Sequence, residues 1–248
     1  MSERVVLFYD KDLAGRNIVK ILKTKNTEAK IIKSRDDILY MKSLGIKPDI
    51  CIVASRHKSE SGIPVLTTHS PGNFGRADFG GNDRELSMAP ALYLREALIY
   101  LRDEKEKRGL PYEVSLEATH HGPTSFESPI MFVEVGGTER EWKDINACKA
   151  VAESISKLTR SEPERIPVAI GFGGGHYCRK FSQIEEYAIG HICPKYNLHN
   201  LDASMIEQMI SKTIPTPEIA LVEKKGMGRE KQRVLELLEK TELEVIRV

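Results

Sequence analysis

Short apolar runs of strand length recur along the whole chain, separated by longer amphipathic segments. That rhythm confines the fold to an α/β domain on a largely parallel sheet, because strands buried on both faces read as continuous apolar runs while the helices covering them need only one apolar stripe. Strands are predicted at 4–9 (RVVLFY), 30–33, 49–54 (DICIVA), 63–68 (IPVLTT), 112–118, 130–135 (IMFVEV), 167–172 (PVAIGF), 187–193, 219–223 and 243–248. Helices are predicted at 12–24, 90–107, 138–158, 203–212 and 229–240. The segment 138–158 carries the strongest pattern: Thr138 and Glu141 have capping-box spacing, and Trp142, Ile145, Cys148, Ala152 and Ile155 recur at helical intervals. No stretch rich in Gly, Ser or Pro cuts the chain, so residues 1–248 are expected to form a single domain.

Composition excludes several classes. With 40% hydrophobic residues, 29% charged residues and only 12 Pro and 18 Gly in 248 residues, the chain is neither disordered nor fibrous. No run of eighteen apolar residues occurs, and the apolar run of MSERVVLFYD is too short for a membrane span or a signal-peptide core. A soluble, cytoplasmic protein with no membrane partner is therefore expected. Cys51, Cys148, Cys178 and Cys193 lack CxxC or disulfide-framework spacing, as in a reducing compartment. Glutamine occurs three times while Lys and Glu are plentiful, a bias associated with thermophiles. A net charge of +1 speaks against a broad nucleic-acid coat, but residues 224–233 (KKGMGREKQR) hold five basic residues and one acidic. Lys224, Lys225, Arg229 and Lys231 are the candidate RNA contacts; a solvated helix start accounts for the segment equally well.

Five of the seven histidines, His57, His69, His120, His121 and His176, fall just after predicted strands. Loops at the carboxyl ends of parallel strands converge on one crevice, which makes these residues a candidate site. Glycine clusters occupy the same loops, in HSPGNFGRADFGGND, HHGPT, VGGTE and GFGGGHY, where backbone can approach a ligand closely. Glu117 lies three residues before His120, and Glu134 sits inside an apolar strand, where an ionised carboxylate is costly unless paired or metal-bound. Glu134 could ligate a metal, act as general base or orient a histidine; an ion pair with a buried Arg is the plain alternative. His120 and His121 are adjacent, so only a bend in the loop aims both inward. Imidazoles with a carboxylate suit Zn²⁺, although no HExxH or cysteine knuckle is present. The metal-free alternative is a histidine base acting on water, with backbone amides holding the oxyanion. GFGGG lacks the GxGxxG order of a dinucleotide site, and no GxSxG elbow surrounds Ser70. His191 lies in an apolar run and is either a core histidine or a wall of the site; His199 reads as surface.

THSPGN, EATHHGP, VEVGGTEREW, GFGGGHY and GHICPKY, together with FYDKDLAGRNI and GMGREKQ at the two ends, resemble the archaeal and plant type of D-aminoacyl-tRNA deacylase over nearly the whole chain. The resemblance implies hydrolysis of the ester between a D-amino acid and the 3′-terminal adenosine of tRNA, dependence on one or two Zn²⁺ ions, and a three-layer α/β/α, phosphorylase/hydrolase-like fold with a mostly parallel mixed sheet, similar to peptidyl-tRNA hydrolase. In the working assignment Glu134, Glu117, His120 and His176 are catalytic, and His57, His69 and His121 hold metal. The amides of Gly136, Gly137, Gly173 and Gly174, with Asn73, lie near the oxyanion. The expected partner is D-aminoacyl-tRNA, and the expected state a monomer. A zinc-dependent amidase or peptidase of a small acyl substrate is the alternative. A pure RNA-binding module fits poorly, because it needs stacking aromatics and a chain with 6% aromatic residues offers few.

Overall fold

The computed structural model describes residues 3–25, 27–58 and 62–248. In chain order the elements are β1 (Arg4–Tyr9), α1 (Leu13–Leu22), β2 (Lys30–Ser34), β3 (Ile50–Lys58), β4 (Val65–His69), β5 (Ala89–Pro90), α2 (Ala91–Arg108), β6 (Glu113–Leu116) and β7 (Ile130–Gly137). They continue with α3 (Glu139–Trp142), α4 (Ile145–Leu158), β8 (Val168–Phe172), α5 (Arg179–Ser182), β9 (Ala188–Cys193), α6 (Ala203–Ser211), β10 (Thr213–Ile214), β11 (Ile219–Val222), α7 (Lys231–Leu238) and β12 (Glu244–Arg247).

The expected α/β fold with mostly parallel strands is present. Its strands divide into a six-stranded sheet in the order β2-β1-β3-β7-β4-β6, a four-stranded sheet in the order β12-β11-β8-β9, and a two-stranded β5/β10 pair. One reversal departs from the parallel pattern: β4 runs antiparallel to β7, while β6 is parallel to β4. The four-stranded sheet is parallel throughout.

Side-chain alternation gives the large sheet two faces of different character. On one face Val6, Ile52, Leu66, Met131 and Val133 pack against Ile18 of α1, Leu94 and Leu101 of α2, and Val151 and Ile155 of α4. On the other, Val5, Val53, Ile130 and Phe132 meet Ile38 and Phe126. Helix α2 serves both sheets: Leu98 joins Ala169, Ile189, Ile192 and Leu221 on the near face of the small sheet. The far face of that sheet, with Ile170, Phe172, Ala220 and Val222, is covered by Met205 and Met209 of α6 and Val234 and Leu238 of α7. Gly109 ends α2 in the left-handed region at φ 59, where a side chain is disfavoured. Among the described residues no helix is long and apolar enough to cross a membrane.

The segment 138–158 is two helices. The capping box of Thr138 and Glu141 forms as expected, but it starts only the single turn α3. Asp144 then opens α4 by accepting from Asn146 N and Ala147 N, and its other carboxylate oxygen accepts from Tyr112 Oη at 3.0 Å. The break turns Ile145 outward to 49% exposure while Cys148, Ala152 and Ile155 stay buried.

His191 is a core residue. Its Nε2–H donates to Ser87 O at 2.9 Å and Nδ1 accepts from Thr119 Oγ1 at 3.1 Å, leaving both ring nitrogens satisfied. Burial lowers its pKa to about 4.

Two outcomes follow. Asp144→Ala removes the cap of α4 and lowers thermal unfolding stability by about 1–2 kcal/mol; Asp144→Ala combined with Tyr112→Phe costs less than the sum of the two single changes, because they share one hydrogen bond. For His191, a folded-state pKa below the ordinary value gives stability that is complete above about pH 6.5 and is lost as the pH falls towards 4. The stability advantage of wild type over His191→Gln, measured by denaturant unfolding, therefore shrinks by up to about 3 kcal/mol between pH 7 and pH 4.

Candidate active site and metal centre

The site grows from the second face of the large sheet. Past the apolar Cys51, Val53, Ile130 and Phe132, the same alternation places His57 on β3, Glu134 on β7, and Thr67 and His69 on β4. The register is direct: His57 stands beside Gly136, while Thr67 pairs with Glu134 and His69 with Phe132. Gly136 makes room for this, since a Cβ there would stand 2.5 Å from Val65 Cγ1 and 3.2 Å from His57 Cδ2. The Phe132 ring stacks under His69 at 5.1 Å between centroids.

Two loop seams bring in the remaining ligands. After β6, Ala118 N donates to His176 O and Cys178 N to Leu116 O, a short antiparallel bridge that joins the loop after β8 to the large sheet. A second bridge ties Pro71 to His120, with Gly72 N donating to the carbonyls of His120 and His121. His121 lies at φ 46, and this left-handed bend carries its ring toward His69 alongside that of His120. The anticipated bend is therefore present, although it holds a non-glycine residue in a sparsely populated conformation.

Seven side chains meet here. Around Glu117 stand His57 Nδ1 at 3.2 Å from Oε1, and His69 Nδ1 at 3.6 Å, His120 Nε2 at 3.5 Å and His176 Nε2 at 3.4 Å from Oε2. Glu134 Oε2 lies 3.8 Å from both His57 Nδ1 and His69 Nδ1, and His69 Nε2 lies 3.2 Å from His121 Nε2. His120 Nδ1 donates to Ala118 O at 2.8 Å and His121 Nδ1 to Gly122 O at 2.6 Å. Because a carbonyl only accepts, both rings carry their proton on Nδ1 and turn an Nε2 lone pair inward.

The electrostatics separate the two carboxylates. Burial acts to raise Glu117, but the surrounding imidazoles of His176, His57 and His120 overcome it and hold the group at about 2. Burial and the Glu117 charge push Glu134 well above its ordinary value. Desolvation drives His57, His69 and His120 down, and His121 down to about 4, so these rings are neutral at physiological pH. Glu134 Oε2 and His69 Nδ1 are buried without a hydrogen-bond partner.

Neutral imidazoles and orphaned carboxylate oxygens are a donor set that fits a divalent cation. Tetrahedral ligation at 2.0–2.1 Å spaces ligand atoms about 3.3 Å apart, close to the separations observed. Three overlapping groups could hold an ion: His57, Glu117, His120 and His176; His69, His120 and His121; and His69, Glu117 and Glu134.

All seven titratable residues singled out in the sequence come together, but the expected backbone donors do not. Gly173 N donates to Cys193 O at 2.9 Å and Gly174 N to Gly226 O at 3.3 Å, so both amides serve the loop itself. Gly136 lies inside the β7 ladder between His57 and Val65. Gly137, at φ 127, packs against Glu141, where an added Cβ would stand 2.8 Å from Cγ. Asn73 spends its amide on Gly80 O and Asn82 O and thus organises the loop. The donors of Gly173, Gly174 and Asn73 are thus engaged within their own loops, and at Gly136 and Gly137 there is no room for a side chain. His191 is buried apart from the cluster. His57 lies within a strand, not after one, because β3 extends to Lys58.

The sequence reading missed Tyr196, whose hydroxyl lies 3.4 Å from His176 Nδ1 and is raised to about 12 by burial. It also missed Ser55 and Asp12, which support the Glu134 side: Asp12 accepts from Ser55 Oγ at 3.2 Å, Arg56 N and Gly15 N. Neither has a sequence signal beyond its place at a strand end or a helix cap. In the basic segment, Lys224, Lys225 and Arg229 are exposed and Lys231 begins α7, while Arg233 is consumed by Leu198 O, Leu201 O and Glu230.

Residues 44–246 match the family model described as D-aminoacyl-tRNA deacylase. Proteins named D-aminoacyl-tRNA deacylase are 37% identical in Cenarchaeum symbiosum, covering 95% of this chain and 96% of the relative. The one in Staphylothermus marinus is 42% identical over 81% of this chain and 76% of the relative. The crystal structure of a conserved protein of unknown function superposes with a TM-score of 0.91 at 28% identity, covering 99% of this chain and 95% of that one. With a family match over most of its length and relatives this similar, the chain belongs to the D-aminoacyl-tRNA deacylase family.

Proposed function

We propose that this chain hydrolyses the ester between a D-amino acid and the 3′-terminal adenosine of tRNA at the imidazole–carboxylate cluster, with Zn²⁺ as its cofactor, acting as a single-domain monomer in the cytoplasm. The observation that carries the reading is the packing of four imidazoles around two buried carboxylates at 3.2–3.8 Å, with the fifth, His121, 3.2 Å from His69. His57, His69 and His121, with Glu117 and His120 from the overlapping groups, would hold Zn²⁺, whose chemistry there would be polarisation of the ester carbonyl and lowering of a water's pKa to about 7.

The protein's own groups divide the proton work. Glu134 is the general base: of two neighbouring carboxylates it has the higher proton affinity, because burial and the Glu117 charge raise it. It takes the proton of the attacking water. Glu117 stays anionic and fixes the rings of His57, His120 and His176 around it. His176 is the most exposed of the ring set, at 34% of its side chain, and stands at the mouth of the cluster. There it can give the departing ribose oxygen a proton drawn from solvent, while Glu134 releases to solvent the one it accepted, so that both groups return to their starting states. Lys224, Lys225, Arg229 and Lys231 supply phosphate contacts on a chain of otherwise balanced charge.

The direct test is release of D-tyrosine and, separately, of L-tyrosine from charged tRNA. Fast release of the D form alone is expected, abolished by chelation and restored by Zn²⁺. Release that survives exhaustive chelation would replace the cofactor with a histidine base, and no release of either form would remove the tRNA ester as substrate. Glu134→Gln, nearly isosteric, should cut kcat by about a hundred- to ten-thousandfold with little change in KM or Tm; unchanged kcat would exclude Glu134 as the base.

A further inference from the structure

A cleft of about 580 Å³ opens beside His176, between the glycine loop at Gly174 and Gly175, the turn carrying Lys195 and Tyr196, and the segment Met227–Glu230. None of its lining residues ligates the cluster, yet one ring joins the two: His176 Nε2 lies 3.4 Å from Glu117 Oε2 while its Nδ1 lies 3.4 Å from Tyr196 Oη. Tyr196 is 51% exposed even though its hydroxyl is engaged, so the polar end is anchored and the ring is left open. Two cations flank it: Lys195, exposed on the same turn as Tyr196, and across the cleft Arg229, whose side chain is 92% exposed and lies 3.3 Å from Glu230. Gly175 leaves open space where a Cβ would stand, and Gly228 holds φ 56. A base therefore has open space over Gly175, while over Gly228 it meets the Lys195 side chain, whose Cε would lie 2.9 Å from an added Cβ.

We infer that this cleft seats the 3′-terminal adenosine of tRNA, with the base on Tyr196 and its 5′-phosphate between Lys195 and Arg229. The inference rests on the deacylase reading and deepens it. In an aminoacyl-tRNA the scissile ester and the terminal base hang from the same ribose. A base on Tyr196 brings that ester toward His176, the cluster ring that contacts Tyr196. An aromatic face with flanking cations is also the usual platform for an unpaired nucleotide, because every base offers a π-face and the phosphate needs charge. The cleft lies within the size range of small-ligand sites. Lys224 and Lys225, on the same turn as Gly226, continue the basic path away from the cleft.

The experiment is a binding cycle on the metal-loaded protein, using uncharged tRNA with and without its terminal adenosine, and wild type, Tyr196→Phe, Tyr196→Ala and Lys195→Ala. Trimming the adenosine should weaken wild type and Tyr196→Phe by about ten- to a hundredfold and Tyr196→Ala by several-fold less, since only the phosphate contacts are then left to lose. Lys195→Ala should weaken binding of intact tRNA and make it less steeply salt-dependent, by about one unit of the log–log slope, since it removes one phosphate contact. Equal trimming losses in wild type and Tyr196→Ala would overturn the assignment. If D-tyrosine release is intact while this coupling is absent, the cleft fails and the deacylase reading stands. If the coupling is present without D-ester cleavage, the reading fails and the cleft stands.

Discussion

Two carboxylates buried within one imidazole cluster are the constraint around which the molecule is arranged. Glu117 and Glu134 are both inaccessible, and an ionised carboxylate in such surroundings is tolerated only with compensating partners. The partners here are ring nitrogens at 3.2–3.8 Å, and each ring is delivered by a different piece of backbone: a strand interior for His57, a strand end for His69, two loop seams for the rest. The fold must therefore hold four strands and two loops in fixed register for the charge to be accommodated. The same groups could hold a cation, which would relieve both the repulsion between the carboxylates and the orphaned lone pairs.

The reversal of β4 is what makes that register attainable. With β4 antiparallel to β7, Thr67 falls opposite Glu134 and His69 opposite Phe132. The parallel alignment of β3 places His57 beside Gly136 on the same face. The small sheet then adds its ligand through the bridge between residues 116–118 and 176–178, so the site lies on a sheet face at a seam between sheets. Helix α2, apolar toward both sheets, fixes their separation.

Much of this was legible in the chain. The strand runs located β1, β3, β4, β7, β8 and β9 to within a few residues, because β-rich apolar runs have few alternatives. The histidines were found through their positions near strand ends, and Glu134 through the cost of a carboxylate in an apolar run. What failed has a common physical cause. Glycines advertise conformational freedom, but nothing local tells whether an amide faces a ligand or a neighbouring carbonyl; at Gly173 and Gly174 the carbonyls of Cys193 and Gly226 take them. Asn73 is drawn inward by Gly80 and Asn82 in the same way. Tyr196 carried no signal, since its role depends on contact with His176, twenty residues earlier in the chain and on another turn. The break at Asp144 was hidden by an apolar periodicity that continues across it.

The chain contains one tryptophan, and its indole Nε1–H donates to the carbonyl of His57 at 3.2 Å, with the Arg56 guanidinium over the ring at 5.1 Å. The sole strong intrinsic fluorophore is thus hydrogen-bonded to the backbone of a cluster residue and lies in the field of a cation from the same strand. Emission from this one ring reports any shift of the β3 end, without a label and without background from a second indole. Loading of the centre, and its emptying, become optical signals native to the protein.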